Sequence, residues 1–192
     1  MKRVLFFLFL MGVGLVSLYA QKSALKFNEA GEFKIVQFTD VHFKYGNPAS
    51  DIALERIDEV LKAERPDLVV LTGDVIYAKP ADKGMRTVLE RVSAHNVPFV
   101  VTFGNHDDEQ GMTRTQLYDI IRSVPGCLMP DRGEQASPDY TLTVQSSGKP
   151  CRRALFLRLP FLFQIEGCEG VRLVDVRSGG ELPPPERCVY GG

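Results

Sequence analysis

Six residues whose side chains can bind metal ions or move protons fall in three short groups. The groups are Asp40-Val41-His42, Gly73-Asp74 and Gly104-Asn105-His106-Asp107. Carboxylate and imidazole together suit Mn, Fe or Zn. An aspartate can bridge two cations, which is what hydrolysis of a phosphate ester at a two-metal site requires. Bound metals lower the pKa of a water, clamp phosphate oxygens and offset developing charge. Each residue alone also has a plain structural explanation. Asp40 could cap a turn, His42 could be a surface imidazole, and Asn105 could be a left-handed turn residue. Three such groups, each at the end of an apolar run, are improbable as coincidence. His95 stands apart from them, at the end of a helical segment, where a favourable dipole contact accounts for it.

The elements that must carry these groups alternate between strand and helix. Phe33 to Phe38 suits a strand that ends at Thr39-Asp40. Ser50-Asp51 can cap a helix from about Ile52 to Arg65, with Ala53, Ile57, Val60 and Leu61 as its apolar face and Pro66 as its stop. Leu68 to Leu71 is wholly apolar, as expected for a strand buried on both faces. A second helix is expected over about Lys83 to His95, a third strand over Pro98 to Phe103, and a third helix over about Arg114 to Ser123. Asp139 to Gln145 reads as a further strand. Two successive βαβ units imply an α/β fold with a mostly parallel central sheet flanked by helices. Ligands of such sheets bind beyond the carboxyl ends of the strands. Asp40 and Asp74 are 34 positions apart, and Asp74 and Asn105 are 31 apart. Each interval is about one crossover, so the three loops should emerge side by side. Gly73 and Gly104 would let the backbone turn sharply after a strand.

Composition bounds the possibilities. The chain has 192 residues, with 23 basic and 24 acidic side chains and a net charge of −1. There is no basic excess to suggest nucleic-acid binding, and four cysteines are too few for a disulfide scaffold. Neither a phosphate-binding P-loop nor a Gly-x-Ser-x-Gly nucleophile elbow occurs. Lys2 and Arg3 precede an apolar run from Val4 to Leu18, and Ala20 follows. That order predicts a secretory signal peptide over residues 1–20, an exported mature protein, periplasmic or secreted, and no stable membrane anchor after cleavage.

The stretches VQFTDVHF, VVLTGDVI and VVTFGNHDDE resemble the calcineurin-like metallophosphoesterase superfamily, in its purple-acid-phosphatase-like bacterial and plant branch. The resemblance covers about Phe33 to Val144 and implies the N-terminal half of a calcineurin-like α/β sandwich. It implies a secreted metal-dependent phosphoesterase acting on a phosphorylated small molecule or other phosphoester, with a metal-activated water as nucleophile. By the same resemblance, Asp40 and His42 would hold the first of two metal ions (Mn, Fe or Zn). Asp74 would bridge both, and Asn105 would hold the second. His106 would stand near the leaving oxygen as general acid or charge stabiliser rather than as a ligand. Asp107 would orient it by accepting its other ring N–H. His42 departs from the tyrosine-bridged purple pattern, so a tyrosinate-coloured iron centre is not expected.

The family pattern continues with a lone His and a Gly-His-x-His loop, yet no His follows Asp107 in this chain. The two-metal set is therefore incomplete, and the alternative function is a non-catalytic fragment or pseudoenzyme that binds at most one metal. From about Cys151 the composition changes. CRRALFLRLPFLFQ is basic and apolar without a period, and SGGELPPPERCVYGG resembles no packed element. Codons compatible with Leu155 to Gln164, read one nucleotide later, encode Tyr-Phe-Phe-Asp-Ser-His-Ser-Tyr-Ser. An aromatic strand ending in Asp-Ser-His is what the family branch would show next. The expected organisation is thus a signal peptide at 1–20, a partial, truncated metallophosphoesterase domain at 33–150, and an out-of-frame tail at 151–192.

Overall fold

The computed structural model describes residues 25–131, 140–145, 152–158, 162–165 and 171–177. The predicted signal peptide and the stretch from 178 onward lie outside the described residues. The first βαβαβ run consists of β1 (Phe33–Thr39), α1 (Asp51–Glu64), β2 (Leu68–Thr72), α2 (Ala81–Ser93) and β3 (Phe99–Thr102). It is followed by α3 (Arg114–Ser123) and by the strands β4 (Tyr140–Gln145), β5 (Arg152–Arg158), β6 (Leu162–Ile165) and β7 (Val171–Arg177).

Two sheets result. The first has the order β3-β2-β1-β7, and its three ladders are parallel. The second is the antiparallel set β4-β5-β6. Leu68, Val69, Val70 and Leu71 of β2 are all fully buried. This is why the run carries no polar alternation: both of its faces are covered. Burying each such side chain contributes roughly 1.5–3 kcal/mol. Tyr140 ties the second sheet to the first, its buried hydroxyl donating to the carbonyl of Val101 at 3.0 Å. Burial pushes this phenol well above its ordinary pKa, helped by the nearby Cys127 and Tyr118.

The helices depart from the sequence reading in three respects. The buried face of α1 is Leu54, Ile57, Val60 and Leu61, with Ala53 only half-buried. Ser50 does not cap it, because its hydroxyl accepts instead from the N–H of Lys44 at 2.9 Å. A 3-10 turn, Pro48–Ser50, leads into the helix and is capped by Asn47. Helix α2 ends at Ser93, so His95 lies in the following turn. Strands β5, β6 and β7 lie in the stretch where the sequence reading assigned no element. The sequence of β7, VRLVDVR, does not alternate: Val171 and Leu173 share one face with Asp175 and Arg177, and Val174 and Val176 share the other with Arg172. It nevertheless pairs in parallel with β1 over seven residues, from Phe33 with Val171 to Thr39 with Arg177.

Candidate metal centre

The parallel order brings the carboxyl ends of β1, β2 and β3 together. The loops beyond them are joined by backbone bonds. The N–H of Asp40 donates to Gly73 O at 3.2 Å, that of His42 to Asp74 O at 2.8 Å, and that of Phe43 to Val75 O at 3.0 Å. Three of the predicted ligands adopt left-handed backbone without being glycine: Asp40 at φ 53°, His42 at φ 48° and Asp74 at φ 50°. Such residues cost free energy and cluster where function requires a set geometry.

The β2 and β3 loops meet backbone against backbone. A Cβ on Gly73, itself at φ 100°, would come 2.5 Å from the N of Gly104. A Cβ on Gly104 would strike the Asp74 carboxylate and lie 2.5 Å from the Asp74 nitrogen. Gly104 is thus required for close approach. Its φ is not among the positive values, so the turn that the sequence suggested is not the reason.

Asp107 is fully buried. Its Oδ2 accepts from the N–H groups of Asp74 (3.0 Å) and Gly104 (2.8 Å), and its Oδ1 from those of Val75 (2.8 Å) and Ile76 (3.2 Å). Burial pushes this carboxyl above its ordinary pKa, against the pull of the Gly104, Ile76 and Val75 donors. Its oxygens are committed to the backbone, which corrects the expectation that Asp107 orients the His106 ring. That ring instead places Nδ1 2.7 Å from Glu109 Oε2. The Glu109 hydrogen bond raises the pKa of His106 despite partial desolvation, with the charges of Glu109, Asp74 and Asp107 adding to it.

Of the predicted set, His42, Asp74 and His106 bring one potential ligand atom each within 4.8 Å of one another. His42 Nε2 lies 3.5 Å from Asp74 Oδ2 and 4.0 Å from Asp40 Oδ1. That nitrogen is buried and has no hydrogen-bond partner. A buried polar atom left unpaired is costly, and a cation held with Asp74 would satisfy it. The residues present therefore fit a metal. Asp40 is half exposed, and its Oδ2 accepts from the Thr39 hydroxyl at 2.7 Å. Asn105 stands exposed beside His106.

Two contributors were not legible in the sequence reading. Glu109 could have been found from its spacing of three after His106. Tyr77, which packs on both site imidazoles, carries no spacing signal. A cleft of about 640 Å³ lies elsewhere, among Lys62, Arg65, Asp67 and His95 at the amino ends of the strands. It is not where a parallel sheet places its chemistry. His95 is explained there by a contact rather than by a helix dipole, since its Nε2 lies 2.7 Å from Asp58 Oδ1.

The description "Calcineurin-like phosphoesterase" matches residues 33–177, and the chain belongs to that family. It is 35% identical over 126 residues to "Probable inactive purple acid phosphatase 29" of Arabidopsis thaliana, covering 57% of this chain and 32% of that protein. It is 35% identical over 121 residues to "Phosphatase DCR2" of Saccharomyces cerevisiae, covering 54% of this chain and 21% of that protein. It is 30% identical over 105 residues to "Uncharacterized metallophosphoesterase YkuE" of Bacillus subtilis, covering 54% and 35%. The chain spans about a third or less of the length of these relatives.

Proposed function

We propose that this member of the calcineurin-like phosphoesterases carries one half of a metal-dependent site that hydrolyses phosphate esters of small molecules rather than of nucleic acid. The observation that carries the reading is the buried, unpartnered Nε2 of His42, facing Asp74 where three parallel strands end. Bound Mn, Fe or Zn would supply Lewis acidity and a more acidic water. Asp40 and His42 would hold one ion, Asp74 would bridge, and Asn105 would serve the second. His106 remains the proton donor to the leaving oxygen. Glu109 favours its protonated form, which supports that role.

A second reading has its own support. Among the described residues only His42, Asp74 and His106 cluster as ligands, and a relative carries "inactive" in its name. On that reading the chain binds one ion and does not turn over. Zinc and manganese titrations of the purified chain, with hydrolysis of a chromogenic phosphomonoester and phosphodiester, separate the two. Two ions bound with turnover once the in-frame continuation is restored support the first reading, and one ion without turnover in both the chain and the restored protein supports the second. Loss of all metal binding in Asp74→Asn is expected under either.

The same proposal includes export. The run from Lys2 to Ala20 supports it, and a mature N-terminus at Gln21 is the expected result of sequencing the exported protein. No helix among the described residues is long and apolar enough to cross a membrane. It also includes an out-of-frame tail from about residue 150, supported by the codon compatibility of Leu155 to Gln164. Resequencing the gene through that region tests it: an open neighbouring frame that supplies His and Gly-His-x-His supports the slip, and a frame that closes at once overturns it.

A further inference from the structure

The segments that follow β1 and β2 are laced together one step beyond the metal centre. The Tyr77 N–H donates to Phe43 O at 3.0 Å, just as the Phe43 N–H donates to Val75 O at 3.0 Å. This lacing lays the Tyr77 ring on the His42 imidazole, with centroids 5.1 Å apart and planes at 26°. The same ring meets the edge of His106 at 4.8 Å and 85°. The two imidazoles then stand 5.6 Å apart at 84° to each other. On the solvent side, the Lys44 ammonium lies 5.1 Å from the centroid of the Tyr77 ring, an attraction that holds the ring from outside.

An imidazole turns freely about two side-chain bonds unless something restrains it. His106 has the carboxylate of Glu109 as one restraint. His42 has no hydrogen bond through Nε2 to hold its ring, so ring packing is what is left to fix it. Tyr77 is itself 41% exposed, so filling the core does not account for it. Its ring packs on the two site imidazoles and under the Lys44 ammonium.

We propose that Tyr77 is a positioning residue, whose ring holds His42 and His106 perpendicular to each other and keeps His42 Nε2 aimed at Asp74 before any metal arrives. A cation that finds both rings already fixed does not bear the cost of ordering them. The proposal rests on the metal reading above. It needs the aromatic ring and not the phenolic hydroxyl.

The chain makes the test direct, because it holds only three histidines: His42, His95 and His106. Their ring protons can be assigned in the metal-free chain by single alanine variants and followed by NMR. His95, paired with Asp58, is an internal control. Tyr77→Ala is expected to move the His42 and His106 resonances while leaving His95 in place, and to weaken zinc binding roughly 10–100-fold. Tyr77→Phe is expected to change neither. Tyr77→Leu, which fills the space without a ring, should behave like the alanine variant and carries the test if alanine unfolds the chain. Unmoved imidazole resonances in Tyr77→Leu overturn the proposal. So do moved resonances with zinc affinity unchanged, or a Tyr77→Phe variant as impaired as Tyr77→Leu. A parent chain that binds no zinc overturns the metal reading and this inference with it. Intact zinc binding in Tyr77→Leu overturns this inference alone.

Discussion

The two ends of the parallel sheet are built from the same residue types with opposite results. At the amino ends, Lys34, Asp67, Asp58 and His95 each have a partner. Lys34 Nζ donates to Glu64 O at 2.8 Å and lies 3.2 Å from Glu64 Oε2, and its backbone N–H donates to Asp67 Oδ2 at 2.7 Å. Asp58 accepts from Arg91 at 3.1 Å and pairs with His95 at 2.7 Å. At the carboxyl ends, Asp40, His42 and Asp74 sit in left-handed backbone, and His42 Nε2, 3.5 Å from Asp74 Oδ2, has no hydrogen-bond partner. The imidazole at one end is a satisfied structural group, and the imidazole at the other keeps a buried nitrogen without a hydrogen bond. Asp107 is the exception at the carboxyl ends. Its four accepted N–H bonds tie the β2 and β3 loops together, so the strained end is braced from beneath.

The contrast can be broken or sharpened by substitution, beginning with the brace. Asp107→Ala strands four buried donors and should cost on the order of 4 kcal/mol of stability. Thermal melting and zinc titration should then fail together, whereas a stable variant with normal zinc binding would refute the bracing role. Gly104→Ala drives a methyl group into the Asp74 carboxylate, and an expected loss of about 1–3 kcal/mol should appear in denaturant melts together with weaker metal binding. His42→Ala should separate the two properties. Zinc affinity is expected to fall by at least about 100-fold, beyond what an outer-shell change costs, with stability within about 0.5 kcal/mol of the parent. A large loss of stability there would place His42 among the structural histidines and remove the contrast.

The smallest effect is expected at the opposite end. His95→Ala should cost about 1 kcal/mol and leave zinc affinity untouched. Its pH dependence has a definite sign. Burial pushes the Asp58 carboxyl up, but the His95 hydrogen bond and the charges of Arg91, His95 and Lys62 outweigh it and hold the pKa below the ordinary value. A carboxyl lowered on folding contributes stability that is present above its unfolded pKa, near pH 4, and is lost as pH falls through the folded value. Acid melts of Asp58→Asn should lack that share of the decline, and a parallel decline in both proteins would count against the pairing.

Much of the carboxyl-end site was legible because it obeys local rules. The apolar run Leu68–Leu71 announces a strand buried on both faces, and a one-crossover interval between Asp40, Asp74 and Asn105 announces adjacent loops. A two-residue shift in α2 was enough to give His95 the wrong explanation, since its partner Asp58 lies 37 positions away on another helix. Asp107 was read as a partner of its chain neighbour His106, whereas its oxygens accept from Gly104 and from three donors more than thirty residues distant. Tyr77 was invisible because ring packing across two loops leaves no period in the sequence.

Residue type and spacing thus determined the βαβ order, the end of the sheet where chemistry gathers, and the kind of ligand offered there. Tertiary structure alone decided which polar atoms are paired and which are not. Hydrogen-bond satisfaction depends on partners brought together by folding: Asp107 beneath the loops, Asp58 on His95, and none on His42 Nε2.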